Sequence, residues 1–304
     1  MSIDRRFKVG SCSILLGNRW ITKPFAPKKG SLLRVSKLMH RHNDAPHLDT
    51  IRTIPEYSKH YAIPDDDSVT MTENNTWWRE FREKWGNIEH VKTLFAPGTV
   101  IVCQYIPDAG HRDIIDALDM FTLAGDRSVW NSYASVWKMA QQVGAALRFL
   151  HEKKLCHLDI KAENVMVSNS GRKYRLIDFG FCSKEPFSDF VSDPRGTPGY
   201  FPKQLGKTTE PGLPLIYAND IVPVDGKTPM KEDPKYVYAI DAFSFGRLVN
   251  YVLYTYDNRA ISSCLGWERG GYKGKLQLLL VRVLEADVRS RVTICEAHMQ
   301  GLFG

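Results

Sequence analysis

Apolar residues recur along this chain first with the alternation of strands and then with the spacing of helices. Phe7 to Cys12, Ser13 to Ile21 and Leu32 to Leu38 read as strands, separated by turn signals such as Pro27-Lys28-Lys29-Gly30. Residues 40–70 are irregular and rich in His, Pro and Asp. They read as an insertion with one short helix near Pro55 to Tyr61. Thr70-Met71-Thr72-Glu73 has the spacing of a capping box and predicts a helix with Trp77, Phe81, Trp85 and Ile88 on its apolar face and Gly86 as a stop signal. Two strands follow, His90 to Phe95 and Thr99 to Ile106, joined by Ala96-Pro97-Gly98.

Beyond that point the period lengthens. Ile114 to Leu123 reads as one helix and Asn131 to Lys153 as a second, with Val136, Ala140, Val143, Leu147 and Leu150 on a single stripe. Val165 to Val167 and Tyr174 to Ile177 are short strands around a turn at Asn169-Ser170-Gly171. Residues 205–236, punctuated by Pro211, Pro214, Pro223, Pro229 and Pro234, read as loop. Tyr238 to Tyr256 and Lys275 to Glu285 are further helices. There are no internal repeats.

Composition narrows the class. With 304 residues, 43% hydrophobic and 25% charged, the chain can bury a large core and is not of disordered composition. No apolar run approaches the roughly 20 residues that span a bilayer. The N-terminal MSIDRRFKVG lacks an apolar signal core and Ser2 excludes N-myristoylation, so an intracellular protein is expected, in cytoplasm or nucleus, with no membrane partner. The six cysteines are scattered without a CxxC pair, which points to neither a zinc site nor a disulfide framework. The net charge of +7 comes from dispersed basic residues, so no specific nucleic-acid partner is expected.

The candidate chemistry is concentrated between Cys156 and Gly180, in CHLDIKAENVMVSNSGRKYRLIDFG. This stretch holds His157-Leu158-Asp159, Lys161, Asn164 and Asp178-Phe179-Gly180, and Gly196-Thr197-Pro198-Gly199-Tyr200 follows. Phosphoryl transfer asks a protein for placement and charge neutralisation, and these residue types supply both. A carboxylate can sit beside the attacking hydroxyl, a cation two residues on can reach the moving phosphate, and an amide with a second carboxylate can hold magnesium. The combination resembles the catalytic loop and DFG turn of the protein kinase superfamily, serine/threonine type. With its degenerate glycine loop and short tail regions the chain also resembles kinases encoded by large DNA viruses.

The resemblance implies an α+β, bilobal protein-kinase-like fold, with a small β-rich N-lobe and a larger helical C-lobe. It implies one kinase domain over 1–304: N-lobe to about 103, hinge 104–108, C-lobe 109–304, with insertions at about 40–70 and 205–236. The implied substrates are ATP, with Mg2+, and proteins bearing Ser or Thr. Asp159 is implied as catalytic base and Lys161 as the cation at the phosphate, with Asn164 and Asp178 as metal ligands. Thr197 matches the threonine that bonds the catalytic Asp and Lys, and Asp241, in Asp241-Ala242-Phe243-Ser244-Phe245-Gly246, matches an aspartate that braces the catalytic-loop backbone. His157 is expected to be a packed histidine stacked near Phe179.

Other positions depart from the pattern or leave alternatives. Gly10 is the one glycine kept of the phosphate-cradling loop. Lys37 fits the strand lysine that holds the α- and β-phosphates better than Lys28, which two prolines make a poor strand residue. Glu80 is chosen as its helix carboxylate, with Glu73 and Glu56 as alternatives. Gln104-Tyr105-Ile106-Pro107 is the expected hinge, with Cys103 facing the adenine pocket. Leu158 stands where the family usually has Arg, so activity is not expected to depend on phosphate at Ser183, Ser188 or Ser192. Pro202-Lys203-Gln204 replaces Ala-Pro-Glu, and a glutamine offers Arg291 a hydrogen bond but no charge. A pseudokinase scaffold and a small-molecule phosphotransferase are the competing functions.

Overall fold

A helix with one apolar stripe needs a partner surface, and the longest stripe in the sequence organises the larger part of this molecule. In the computed structural model, residues 7–9, 13–16, 34–40, 46–64, 69–71, 79, 83, 101–107, 112–126, 129–168, 171–188, 196–197, 199–202, 233–260, 271–285 and 290–304 are described. They divide into two units, one of residues 1–45 and 62–109 and one of residues 46–61 and 110–304.

The first unit carries a five-stranded antiparallel sheet in the order β1-β2-β3-β5-β4, made of Phe7–Val9, Ser13–Leu16, Arg34–His40, Ile101–Pro107 (β5) and Val69–Met71 (β4). In β3, Lys37 pairs with Leu15 on one side and Gln104 on the other. Val69–Met71 corrects the expected capping box: Thr70 and Met71 pair with Val102 and Ile101 instead of opening a helix. Helical backbone is present further on, at Arg79 and Glu83. Pairing of β5 continues through Pro107, opposite Arg34, so residues 104–107, expected as hinge, are still strand. The expected strand at 90–95 lies outside the described residues.

The second unit is mainly helical. Its elements are α1 (Leu48–Arg52), α2 (Tyr57–His60), α3 (Ile114–Ala124), α4 (Tyr133–Glu152), α5 (Lys235–Ala260), α6 (Tyr272–Val283) and α7 (Ile294–Met299). Between them lie β6 (Arg112–Asp113), β7 (Leu155–Cys156), β8 (Val165–Val167), β9 (Tyr174–Leu176) and β10 (Ser183–Lys184). Ser132 and Ser135 form a capping box that starts α4. Its predicted stripe, Val136, Ala140, Val143, Leu147 and Leu150, is fully buried. In α3, Ile114, Ala117, Leu118 and Phe121 repeat at i, i+3, i+4 and i+7 and are buried as well.

Helix α5 is the central element, buried along most of its length by Val237, Ile240, Phe245, Leu248, Val249 and Val252. Gly246 lets the end of α6 come close: a Cβ there would stand 2.7 Å from Leu284 Cδ2. The short helix α7 was not expected from periodicity. Its signal is the capping box of Thr293 and Glu296, whose side chains bond each other's backbone N–H. No helix among the described residues is long and apolar enough to cross a membrane.

Two histidines link this packing to pH. His60, whose ring lies 4.8 Å from that of Phe149, and His298, stacked 4.2 Å from Phe303, are both half-buried. Burial is the main force holding each imidazole below its ordinary value. A base with a lowered folded pKa contributes stability that is present above its unfolded value, about 6.5, and lost as pH falls through the lower folded value. The melting temperature is therefore expected to fall by a few degrees between about pH 7.5 and about pH 5.5. The His60→Gln, His298→Gln double variant should flatten that slope, measured by thermal unfolding across the range.

Candidate active site

The site in the second unit is built on a loop whose backbone is pinned from below. Helix α4 ends at Glu152 and delivers the chain to β7. There the fully buried carboxylate of Asp241, on α5, accepts three hydrogen bonds. His157 N–H donates to Oδ2 and Leu158 N–H to Oδ1, each at 2.8 Å, and His151 Nε2 lies 3.1 Å from Oδ2. Burial pushes the Asp241 carboxyl up. The hydrogen bond from His151, the charges of His151 and His157 and the His157 amide outweigh it and hold the group below its usual value. The bond to Leu158 N also secures a strained residue, since Leu158 has φ of 64°, a left-handed conformation that a Leu side chain disfavours.

His151, Cys156 and Asp241 bring ligand-type atoms within 4.8 Å of one another. The carboxylate there is already committed to two amides and an imidazole, and burial pushes the Cys156 thiol well up, so Asp241 and His151 form a hydrogen-bonded brace with Cys156 beside it. Above it, His157 is buried with Nε2 at 3.0 Å from the Ile177 carbonyl and its ring 4.9 Å from Phe179. Phe179 in turn meets Tyr61 edge-on at 5.7 Å. Tyr61 Oη donates to the Ala146 carbonyl at 2.6 Å, which ties the segment after α2 to α4.

On this base stands a polar cluster. Thr197 Oγ1 donates to Asp159 Oδ1 at 2.5 Å and accepts from Lys161 Nζ at 2.8 Å. Lys161 Nζ also lies 3.0 Å from Asp159 Oδ2. Asn164 Nδ2 donates to both the backbone carbonyl and Oδ2 of Asp159, each at 2.8 Å. Both partners are acceptors, so the amide nitrogen must face Asp159 and Asn164 Oδ1 is turned away from it. Asn164 ends a short 3₁₀ turn, Ala162–Asn164, and opens the β8-β9 hairpin. Ile177 N–H donates to the Asn164 carbonyl at 3.0 Å, which brings the Asp178 turn beside it. Asp178 is partly buried and has φ of 63°, a conformation Asp tolerates better than most residues.

The structure thus brings together Asp159, Lys161, Thr197, Asn164 and the turn at Asp178. Gly10, Glu80 and Glu73 lie outside the described residues. Lys37 is described as a strand position only, in the first unit. Glu56, the other alternative for its partner, is exposed at the start of α2 and bonded to Lys59, which holds its carboxyl below the usual value. Gln204 is outside the described residues as well. Arg291 is fully buried, donates from Nε to the Glu285 carbonyl at 2.8 Å and lies 4.6 Å over the Phe243 ring. Two supporting residues escaped the sequence reading. The signal for His151 is its place in the last turn of α4, directly after Leu150, the last residue of the apolar stripe. Nothing local marks the role of Tyr61, since its contacts with Ala146 and Phe179 are distant in sequence.

Comparison with known proteins places this geometry. Residues 99–213 match the family model of the protein kinase domain. In serine/threonine-protein kinase ULK3 of Xenopus laevis, 66 residues are 39% identical, which is 21% of this chain and 14% of that protein. In serine/threonine-protein kinase dkf-1 of Caenorhabditis elegans, 93 residues are 33% identical, 30% of this chain and 13% of that protein. Over these residues the chain is similar to protein kinase domains. Its aligned part is a small fraction of the length of these kinases. Among solved structures, the ROP18 kinase domain in complex with AMP-PNP and sucrose superposes with a TM-score of 0.48 at 14% identity, over 97% of this chain and 76% of that one. The kinase match runs through Asp159, Lys161, Asn164, Asp178 and Thr197, the residues gathered in the cluster.

Proposed function

We propose that this chain is an active serine/threonine protein kinase that transfers the γ-phosphate of ATP to protein hydroxyls with Mg2+. The observation that carries the reading is the hydrogen-bonded set of Asp159, Lys161 and Thr197. Thr197 engages Oδ1 of Asp159, and Asn164 and Lys161 engage Oδ2. A carboxylate has roughly four lone-pair sites, so one on Oδ1 remains for an incoming hydroxyl. Asp159 orients that hydroxyl and takes its proton, and the Lys161 ammonium offsets charge on the transferred phosphoryl group. Thr197 fixes both side chains at the depth a short Ser or Thr acceptor reaches. Lys37 and Gly10 are proposed nucleotide contacts on the strength of the resemblance, with Glu80 as the carboxylate that would pair with Lys37.

The donor set fits magnesium. A hard divalent cation takes oxygen ligands, and Asn164 Oδ1 and the Asp178 carboxylate would supply them. Held by these oxygens, magnesium would supply charge neutralisation for the nucleotide phosphates. Asp178→Asn is expected to weaken nucleotide binding in the presence of magnesium by about tenfold or more, with little change in its absence, as read by calorimetric titration. Equal affinities with magnesium would remove Asp178 from the metal site. Thr197→Val, which keeps the volume and removes both hydroxyl bonds, is expected to lower the transfer rate by at least about tenfold.

A pseudokinase scaffold is the second reading, favoured by the single retained loop glycine and by Gln204. A small-molecule phosphotransferase is the third, opposed by Lys161 and the Thr197 segment. Phosphoamino-acid analysis separates the classes. Incubation with γ-labelled ATP, magnesium and a mixture of acidic and basic proteins should give phosphoserine and phosphothreonine. Predominant phosphotyrosine, or label on small metabolites alone, would overturn the assignment.

A further inference from the structure

We propose that Phe187, seated in an apolar socket with Leu158 and Tyr238, is a positioning residue that holds Thr197 against Asp159 and Lys161 by way of Phe201, without any phosphate. This rests on the reading of Asp159 as the base. The resemblance leads one to expect a cation at position 158. The structure has instead a dry cluster in which Leu158 and Phe187 are each 1% exposed, with Phe201 and Tyr238 packed against it. Phe187 meets the Tyr238 ring edge-on at 5.2 Å. Its backbone is held as well: β10 pairs with β7, and Glu185 N–H donates to the Lys154 carbonyl at 2.9 Å. Tyr238 Oη donates to Glu185 Oε2 at 3.0 Å.

The cluster reaches the chemistry through Phe201. That ring lies so close to Gly196 that a Cβ there would stand 2.8 Å from Cε2 and closer still to Cδ2. Only glycine fits beneath it. Gly196 precedes Thr197, whose hydroxyl is the shared partner of Asp159 and Lys161. The next contact, Tyr200 N–H to the Thr197 carbonyl at 3.2 Å, closes the turn that carries both Thr197 and Phe201. Movement of Phe201 therefore moves Thr197. A neutral socket of this kind is always occupied, whereas a charged one would need its phosphate to fill it. Its function is to set geometry, and misplacement of about 1 Å can cost on the order of 100-fold in rate.

The test uses the full chain treated with phosphatase, as wild type, Phe187→Ala, Phe187→Leu and Gly196→Ala. Transfer kinetics, thermal unfolding and amide exchange at Tyr200 are measured on each. Phe187→Ala should lower kcat by about 10- to 100-fold and leave the KM for ATP within about twofold. It should also expose the Tyr200 amide to exchange, and Phe187→Leu should restore most of both. Gly196→Ala should reproduce the loss with the socket intact, because the added methyl displaces Phe201. If Phe187→Ala does not fold, Gly196→Ala and Phe187→Leu still decide. Unchanged kcat and unchanged Tyr200 exchange in Gly196→Ala would overturn the proposal, as would a Phe187→Leu variant no better than Phe187→Ala. A wild type that transfers nothing would instead overturn the kinase reading, and exchange at Tyr200 would still judge the coupling.

Discussion

Asp159→Asn is expected to lower phosphoryl transfer by about 10²- to 10⁴-fold, the range that a positioned general base contributes. The loss should be chemical and not structural. The amide of an asparagine has the carboxylate's shape, and its oxygen can still accept from Asn164 and Lys161, which now meet at Oδ2. Its nitrogen would face Thr197, whose hydroxyl can turn to accept instead of donate. The melting temperature should therefore stay within a few degrees of wild type. Nucleotide affinity should be almost unchanged, because Asp159 acts on the acceptor. A rate within twofold of wild type would show that the measured activity does not come from this site.

Asp241→Ala is expected to have the largest effect on stability. It removes the shared acceptor of His157 N–H, Leu158 N–H and His151 in a place with no access to water. Stripping a buried charge of its role in such a network costs about 3–5 kcal/mol, or roughly 10 °C in melting temperature for a chain of this size. Leu158 would also be released from its left-handed conformation, so activity should fall even below the melting range. Asp241→Asn, which keeps one good acceptor, should recover about half of the stability. A melting temperature for Asp241→Ala within about 2 °C of wild type would mean that the loop is held by packing alone.

Much of this site was legible in the sequence because its parts are close together along the chain. Asp159, Lys161 and Asn164 share one loop, and the hairpin that follows carries the chain back to Asp178. The stripe on α4 was equally clear, since its register follows from one helical period. Asp241 could be placed from its motif, and its two amide bonds are those the resemblance implies. Residues 69–73 show the opposite case. They carry a local helix-start signal, but pairing with β5, some 30 residues away, takes Thr70 and Met71 into a strand. Tyr61 supports Phe179 through contacts with α4 and the Asp178 turn that no local pattern encodes. Leu158 was readable as a missing cation. That Phe187 and Tyr238 fill the space around it depends on packing between segments far apart in the chain.

The central claim is that the cluster around Asp159 transfers phosphate and does not merely bind nucleotide. It is tested most directly by single-turnover transfer from γ-labelled ATP to a Ser/Thr-bearing protein, with nucleotide affinity measured on the same samples of wild type and Asp159→Asn. Labelled acceptor from wild type, its loss in Asp159→Asn and equal nucleotide affinity in both are the predicted results. Nucleotide bound tightly by wild type, with no label reaching any protein, would contradict the claim and leave a binding scaffold in its place.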